Sequence, residues 1–302
     1  MLDLWVWITI FAVVMQVVRH GMQKHLTATM KPMGVVWTRF LFGLPFGVLY
    51  FAVLLVVLDV EVPTTNMIYW IYCFMGAVAQ IFGTFCLVLL FGERNFAVGI
   101  TYTKTEIIQA TVLGLLLVGD HVSVAGGIAI ILSMVGVMVL STSGGEFSFK
   151  SLITGIATRA ALLGIGSGLG FASASVFIRA AALELPDGGF LFRASYVLIV
   201  VLTIETVLMT GYFVWRDREE IGNVMRQWKP SLLVGFTSAV GSLGWFSAMT
   251  LERVAYVKTV SQIEVILSLL VSYVVFKERS RLHEFVGMAL VLSAIVLLLL
   301  FA

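Results

Sequence analysis

The sequence predicts an all-α polytopic membrane protein, with ten transmembrane helices arranged as two inverted five-helix repeats. Three observations carry that expectation. Hydrophobic residues make up 60% of the 302-residue chain and charged residues only 12%, against roughly a quarter charged in soluble domains. A soluble core of this size could not hide so much apolar side chain, whereas a bilayer can. Ten apolar segments approach the ~20 residues that a helix needs to cross hydrocarbon. The two halves of the chain also repeat one another, and an odd number of crossings per half forces the second copy into the membrane upside down.

In order, the segments run over 4–25, 34–58, 66–91, 97–118 and 122–141, then 152–182, 187–214, 230–251, 255–276 and 283–302. The first opens on MLDLWVW, which lacks a basic n-region, and no small-residue cleavage site follows. It reads as a retained span rather than a signal peptide. Pro32, Pro63, Pro186 and Pro230 fall in turns or at segment ends, where a missing N–H costs least. Cys73 and Cys86 both lie inside the third segment, so neither a disulfide framework nor a metal-type spacing is expected. The sixth segment holds GIGSGLG at 164–170. It does not match the dinucleotide-binding pattern and follows no strand. Its pairs Gly164/Gly168 and Gly166/Gly170 instead predict close helix approach. The longest polar connector, WRDREEIGNVMRQWK at 215–229, is too short for a separate domain.

The repeat is direct. AVGITYTKTE (97–106) lies over AYVKTVSQIE (255–264), bringing Ala97, Thr101 and Glu106 onto Ala255, Thr259 and Glu264. The register holds to Asp120 over Glu278, and after a two-residue gap GIAIILS (127–133) lies over GMALVLS (287–293). Arg39 lies over Arg193. The predicted units are therefore a first repeat over 4–141 and a second over 152–302.

Against this apolar background the polar residues are the candidates for function. Glu106 and Glu264 are equivalent, each about ten residues into its span. Lys104 stands two residues before Glu106, about 200° around a regular helix, so the two are expected on nearly opposite sides. Lys258 is offset from Lys104 by one turn of the repeat and lies on the same face of the equivalent helix, beside Gln262. A charge at a helix centre costs ~2.5–3.5 kcal/mol on insertion scales, so several of them need a polar cavity or partners. Gln16, Arg19, His20 and Gln23 form a stripe along one side of the first span. Arg39, Arg193 and Gln109 add further polar positions, and Tyr102, Trp245, Trp37 and Tyr256 could stack on a substrate. Arg159, Glu205 and Gln80 are weaker candidates. Each charge also has a structural alternative, in which a neighbouring span neutralises it or its head snorkels to the nearer interface.

Several motifs resemble one family. TRFLFGLPF near the start of the second span, LLLVGDHVSVAGGIAIILSMVGV at 115–137 and VVFKERSRLHEFVGMALVLSAIV at 274–296 look like the drug/metabolite transporter (DMT) superfamily, and within it the EamA-like family of ten spans in two repeats. The resemblance covers essentially the whole chain. It implies transport of a small molecule such as an amino acid, nucleobase, sugar or drug. Relatives often carry a proline in spans 4 and 9; here neither span has one, which puts a proline hinge in doubt.

The expected function is a secondary active transporter, a proton-coupled exporter of small polar metabolites such as amino-acid-like zwitterions or organic anions. Buried bases (Arg19, Arg39, Lys104, Arg159, Arg193, Lys258) outnumber buried acids (Glu106, Glu205, Glu264), which favours substrates carrying a carboxylate. The alternative is efflux of lipophilic cations on the glutamate pair. An enzyme or a non-transporting scaffold is disfavoured: no nucleophile or metal set is present, and a scaffold has no use for paired mid-membrane charges. No cofactor, metal or nucleic acid is expected, and the chain would act as a monomer or homodimer in a bacterial-type inner membrane. Turns after odd-numbered spans hold Lys24, Lys31, Arg94, Lys150, Arg216, Arg218, Arg226, Lys229, Lys277, Arg279 and Arg281, against Arg179 and Arg253 on the other side. By the positive-inside rule both termini lie outside, whereas the family resemblance implies termini inside.

Overall fold

The computed structural model describes residues 3–59, 61–93, 102–140, 158–186, 188–267 and 282–301. Every regular element among them is an α-helix: α1 Leu4–Leu26, α2 Pro32–Leu41, α3 Leu44–Leu58, α4 Met67–Leu90, α5 Glu106–Leu117, α6 Val124–Leu140, α7 Arg159–Glu184, α8 Gly189–Arg216, α9 Arg218–Arg226, α10 Trp228–Leu251, α11 Val254–Val260 and α12 Leu282–Phe301. Among the described residues, six helical stretches are long and apolar enough to cross a membrane: α1, α2 with α3, α4, α7, α8 and α10. The fourth, fifth, ninth and tenth predicted spans are represented by shorter helices. The expected residues 97–101, 141, 152–157 and 268–276 lie outside the described residues.

Local chemistry sets the helix limits. Asn66 Oδ1 accepts the Tyr69 N–H at 2.7 Å, capping α4, and Thr158 Oγ1 accepts the Ala161 N–H to cap α7. Pro32 opens α2 and Pro45 sits in the first turn of α3, positions where a proline loses nothing. Pro45 also explains why the second span is two helices: its ring cannot extend the ladder back to Leu41, and the chain turns at Phe42 and Gly43. The connector at 215–229 is helical rather than irregular. It forms α9, whose Glu220 is fully buried and accepts the Lys31 N–H at 2.8 Å, just before α2. Lys31 Nζ reaches Asp217 at 2.7 Å beside it.

Large apolar side chains point outward all along the helices, with Val56 82% and Leu116 73% exposed. Such a surface suits lipid and not water. The inward contacts follow the repeat. α1 packs along α10 and α4 along α7, α6 pairs with α12, α5 with α11, and α2 and α3 with α8. A shift of five predicted spans exchanges the first two pairs and returns each of the others to itself. The closest approaches obey the same offset that carries Glu106 onto Glu264. A Cβ on Gly170 of α7 would stand 2.5 Å from Gly83 Cα of α4. The equivalent positions, Ala12 of α1 and Gly241 of α10, also meet. Of the small-residue pairs in 164–170, Gly168 and Gly170 make backbone-scale contacts, the former against Thr103 O and Glu106 N.

Spans 4 and 9 are both interrupted, at Lys104–Thr105 and at Ser261–Gln262, within one residue of equivalence. Bonds of the i→i−3 kind close each break: Thr105 N to Tyr102 O and Ile107 N to Lys104 O in the first, Gln262 N to Thr259 O and Glu264 N to Ser261 O in the second. No proline is involved.

Candidate functional site

The two breaks face one another across a cavity of about 880 Å³, counting its open mouth, walled by α1, α2, α4, α5, α7, α10 and α11. At its centre the charges pair across the repeats. Lys104 Nζ meets Glu264 Oε2 at 3.1 Å, and Lys258 Nζ meets Glu106 Oε1 at 2.5 Å. Each half thus supplies an acid to the other half's base. All four side chains are between 11% and 18% exposed, enough to reach the cavity and too little to be solvated as free ions.

This corrects one expectation. Lys104 and Glu106 do not point to opposite sides; both line the same cavity. The 200° separation assumes a continuous helix, and the turn at Lys104–Thr105 redirects the lysine before α5 begins.

The surroundings of the two glutamates differ. Glu264 is embraced by α1: Gln16 Nε2 donates to its Oε2 at 3.4 Å and His20 Nδ1 lies 3.8 Å from its Oε1. Arg19 Nη2 reaches Gln16 Oε1 at 3.4 Å and His20 Nε2 at 3.1 Å. A guanidinium can only donate, so Nε2 of His20 accepts and the ring proton sits on Nδ1, toward the carboxylate. Glu106 has no such shell. The repeat offset carries Gln16 onto Ala174 and His20 onto Ile178 of α7, and both of these also line the cavity. On the opposite wall Leu87 of α4 corresponds to Trp245 of α10, whose ring faces Lys258 Nζ at 4.7 Å. The frame is symmetric; the chemistry on it is not.

Of the predicted residues, Glu106, Glu264, Lys104, Lys258, Arg39, Gln262, Arg19, His20, Trp245 and Gln80 line the cavity. Arg39 is buried, donates Nη1 to Thr84 Oγ1 at 2.7 Å, and keeps a buried Nε with no hydrogen-bond partner. Gln109, Tyr102 and Arg193 are not in the cavity wall. Gln109 turns to Thr105 Oγ1 and to Gly168 of α7, Tyr102 is packed at 6% exposure, and Arg193 is half-buried near the start of α8. Trp37 bonds Thr210 and Tyr256 bonds Ser123, both away from the cavity. Arg159 is not buried: its side chain is 74% exposed and pairs with Glu93 at the end of α4. Sequence reasoning missed Ser167, Phe171, Ala174, Ser175 and Ile178 on α7, and Ser242, Phe246 and Met249 on α10. Their helical spacing, which repeats along one face of each helix, was the signal that could have found them.

Away from the cavity, Arg179 of α7 ties its helix to two connections, α5–α6 and α10–α11. It grips Asp120 through Nε at 2.9 Å and Nη2 at 3.1 Å, and donates Nη1 to the carbonyls of Met249 and Glu252. At the other end of the helices, the Lys31–Asp217 and Arg159–Glu93 pairs do similar work. The cavity lies between these two sets of ties.

Residues 158–300 match the EamA-like transporter family. No curated protein matches the sequence. A solved crystal structure of a protein at 14% identity superposes with a TM-score of 0.68, covering 96% of this chain and 99% of its own. That likeness speaks to the fold alone.

Proposed function

We propose that this multi-pass membrane protein, whose residues 158–300 match the EamA-like transporter family, is a drug/metabolite transporter built as a ten-helix inverted repeat that exports amino-acid-like zwitterions, driven by proton exchange. The two units would be 4–141 and 152–302. The exchange of helix partners under a five-span shift and the matched breaks in spans 4 and 9 support this arrangement, because alternating access works by rocking one repeat against the other around a central site.

One observation carries the substrate reading: the crossed pairs Lys104–Glu264 and Lys258–Glu106 inside one cavity. A zwitterion can enter such a site without leaving a charge bare. Its carboxylate takes a lysine, helped by Arg39, and its ammonium takes the glutamate that the lysine releases. The cavity-lining charges favour the carboxylate end, with Arg19, Arg39, Lys104 and Lys258 against Glu106 and Glu264. An ammonium and a proton then compete for the same carboxylate, which is the relation that antiport requires. A lipophilic cation would have to displace a lysine from each glutamate and would strand it, so the cation-efflux reading is the weaker one.

The test is transport of a labelled amino-acid pool in proteoliposomes under an imposed pH step. Glu106→Gln and Glu264→Gln should each abolish pH-driven movement, because glutamine keeps the size and hydrogen bonding but cannot release a proton. Energy-independent exchange should survive in at least one of them. Accumulation at wild-type rates in both variants would make the glutamates structural, and His20 would be examined next.

A further inference from the structure

Glu205 has no place in the exchange just described, yet it is a charge-bearing side chain left without a hydrogen-bond partner among the described residues. It lies in the middle of α8, is fully buried, and neither carboxylate oxygen has a hydrogen-bond partner among the described residues. An ionised carboxylate left this way in a low-dielectric interior costs far more than a neutral one, and such residues in membrane spans mark functional sites by default.

Its position follows from the register of α8 on the second span. Trp37 Nε1 donates to Thr210 Oγ1 at 3.2 Å, a Cβ on Gly47 would stand 3.0 Å from Leu202 Cδ1, and Phe51 stacks on Phe192 at 5.8 Å. The two elements are antiparallel, and Glu205 falls between the first two contacts, level with the α2–α3 break that follows Arg39. The Arg39 guanidinium, on the last turn of α2 before that break, attracts a negative charge on Glu205. The other helices packed against α8 bring titratable groups of their own, among them Tyr50 of α3, Tyr69, Cys73 and Cys86 of α4, Arg179 of α7, Glu220 of α9 and Lys229 of α10. Arg39 itself lines the cavity, is held there by Thr84, and has a buried Nε with no hydrogen-bond partner. The guanidinium thus lines the cavity while being attracted by a charge on α8.

We propose that Glu205 is a proton-binding site separate from the cavity glutamates, and that its proton decides whether Arg39 serves the cavity. A proton arriving on a Glu205 oxygen removes the negative charge and leaves Arg39 to a substrate carboxylate. Loss of that proton to solvent restores the attraction and draws the guanidinium toward α8. The consequence for substrate rests on the reading that the cavity receives a carboxylate; the proton site itself does not.

Infrared difference spectroscopy of the purified full chain across a pH titration tests the site without any substrate, through the C=O stretch of a protonated carboxyl. The wild type should show such a band. The component that persists in both Glu106→Gln and Glu264→Gln, and so belongs to neither cavity glutamate, should vanish in Glu205→Gln. In Arg39→Gln it should persist to higher pH, because the opposing cation is gone. If Glu205→Gln does not fold, Glu205→Asp should shift the band instead. That common component surviving Glu205→Gln, or keeping its pH range in Arg39→Gln, overturns the proposal. Lack of amino-acid movement by the wild type in proteoliposomes would refute the zwitterion reading and leave the infrared result standing.

Discussion

The Lys258–Glu106 pair permits a test whose sign, rather than size, decides. Glu106 meets Lys258 Nζ at 2.5 Å, with the two side chains 18% and 11% exposed. At an effective dielectric of about 20, two unit charges at that distance attract by roughly 7 kcal/mol, from which the desolvation of both ions, several kcal/mol each, must be subtracted. The net worth of the intact pair is therefore near zero. Removing one member is different, because it strands the other in a low-dielectric setting at a cost of ~3–5 kcal/mol. Some cavity water reaches these side chains, so the lower end of that range is expected. Glu106→Gln and Lys258→Met should each destabilise the protein by about 3 kcal/mol. The double variant, with no bare charge, should be more stable than either single one. Unfolding in mixed micelles followed by circular dichroism reads all four proteins. Losses that simply add, within ~0.5 kcal/mol, would show that the two side chains do not act as a pair and would remove the basis of the zwitterion reading.

Two further predictions concern the frame. Gly170→Ala places a methyl 2.5 Å from Gly83 Cα, so α4 and α7 must part, and a loss of ~1–3 kcal/mol is expected. Gly21→Ala in α1 meets nothing within 4 Å and should be neutral or gain ~0.5–1 kcal/mol from helix propensity; the same micelle unfolding measures both, and equal losses would refute the close-packing account. By the positive-inside rule the positive side chains after odd-numbered spans, Lys31, Arg216 and Arg218 among them, predict that those turns lie in the cytoplasm. A reporter active only in the cytoplasm, fused after Ala302, should stay silent, and a bright fusion would reverse the orientation.

How much of this was legible in sequence depends on the range of the interaction concerned. Glu106 and Glu264 were found because the repeat marks them as equivalent, and both lie in the cavity. Lys104 was found but misdirected. A regular helix was assumed through Thr105, and nothing local announces the break that brings the lysine round to Glu264. The crossing of the pairs was out of reach, since it joins residues 160 positions apart through packing that no local pattern encodes. Arg159 failed for a different reason: it closes the described start of α7 rather than its middle, and its partner Glu93 lies at the end of another helix. Arg193 and Arg39 shared a sequence position by alignment but not an environment. Only Arg39 is brought to the cavity, because the α2–α3 break and the Gly43–Gly235 contact draw that part of the second span against α10.

The missing prolines of spans 4 and 9 raise the question of what breaks these helices instead. Side-chain hydroxyls and amides supply an answer in both. Thr105 Oγ1 donates to Tyr102 O at 2.7 Å in the first break. In the second, Ser261 Oγ donates to Lys258 O at 2.7 Å, and Gln262 Nε2 donates to the same carbonyl at 3.1 Å. Such back-bonding satisfies the carbonyls that an interrupted ladder would otherwise leave bare, and it bends helices where it occurs. A proline fixes one bent geometry by removing an N–H and adding a ring. A hydroxyl only offers its carbonyl an alternative partner, so the straight and bent ladders can lie closer in free energy. The breaks end one and two residues before the glutamates, at Thr105 beside Glu106 and at Gln262 ahead of Glu264. A change in pairing at either glutamate therefore acts directly on the turn of the chain next to it. That adjacency gives substrate or proton binding a short mechanical path to the element that must move, and positions within two residues of equivalence provide it in both repeats.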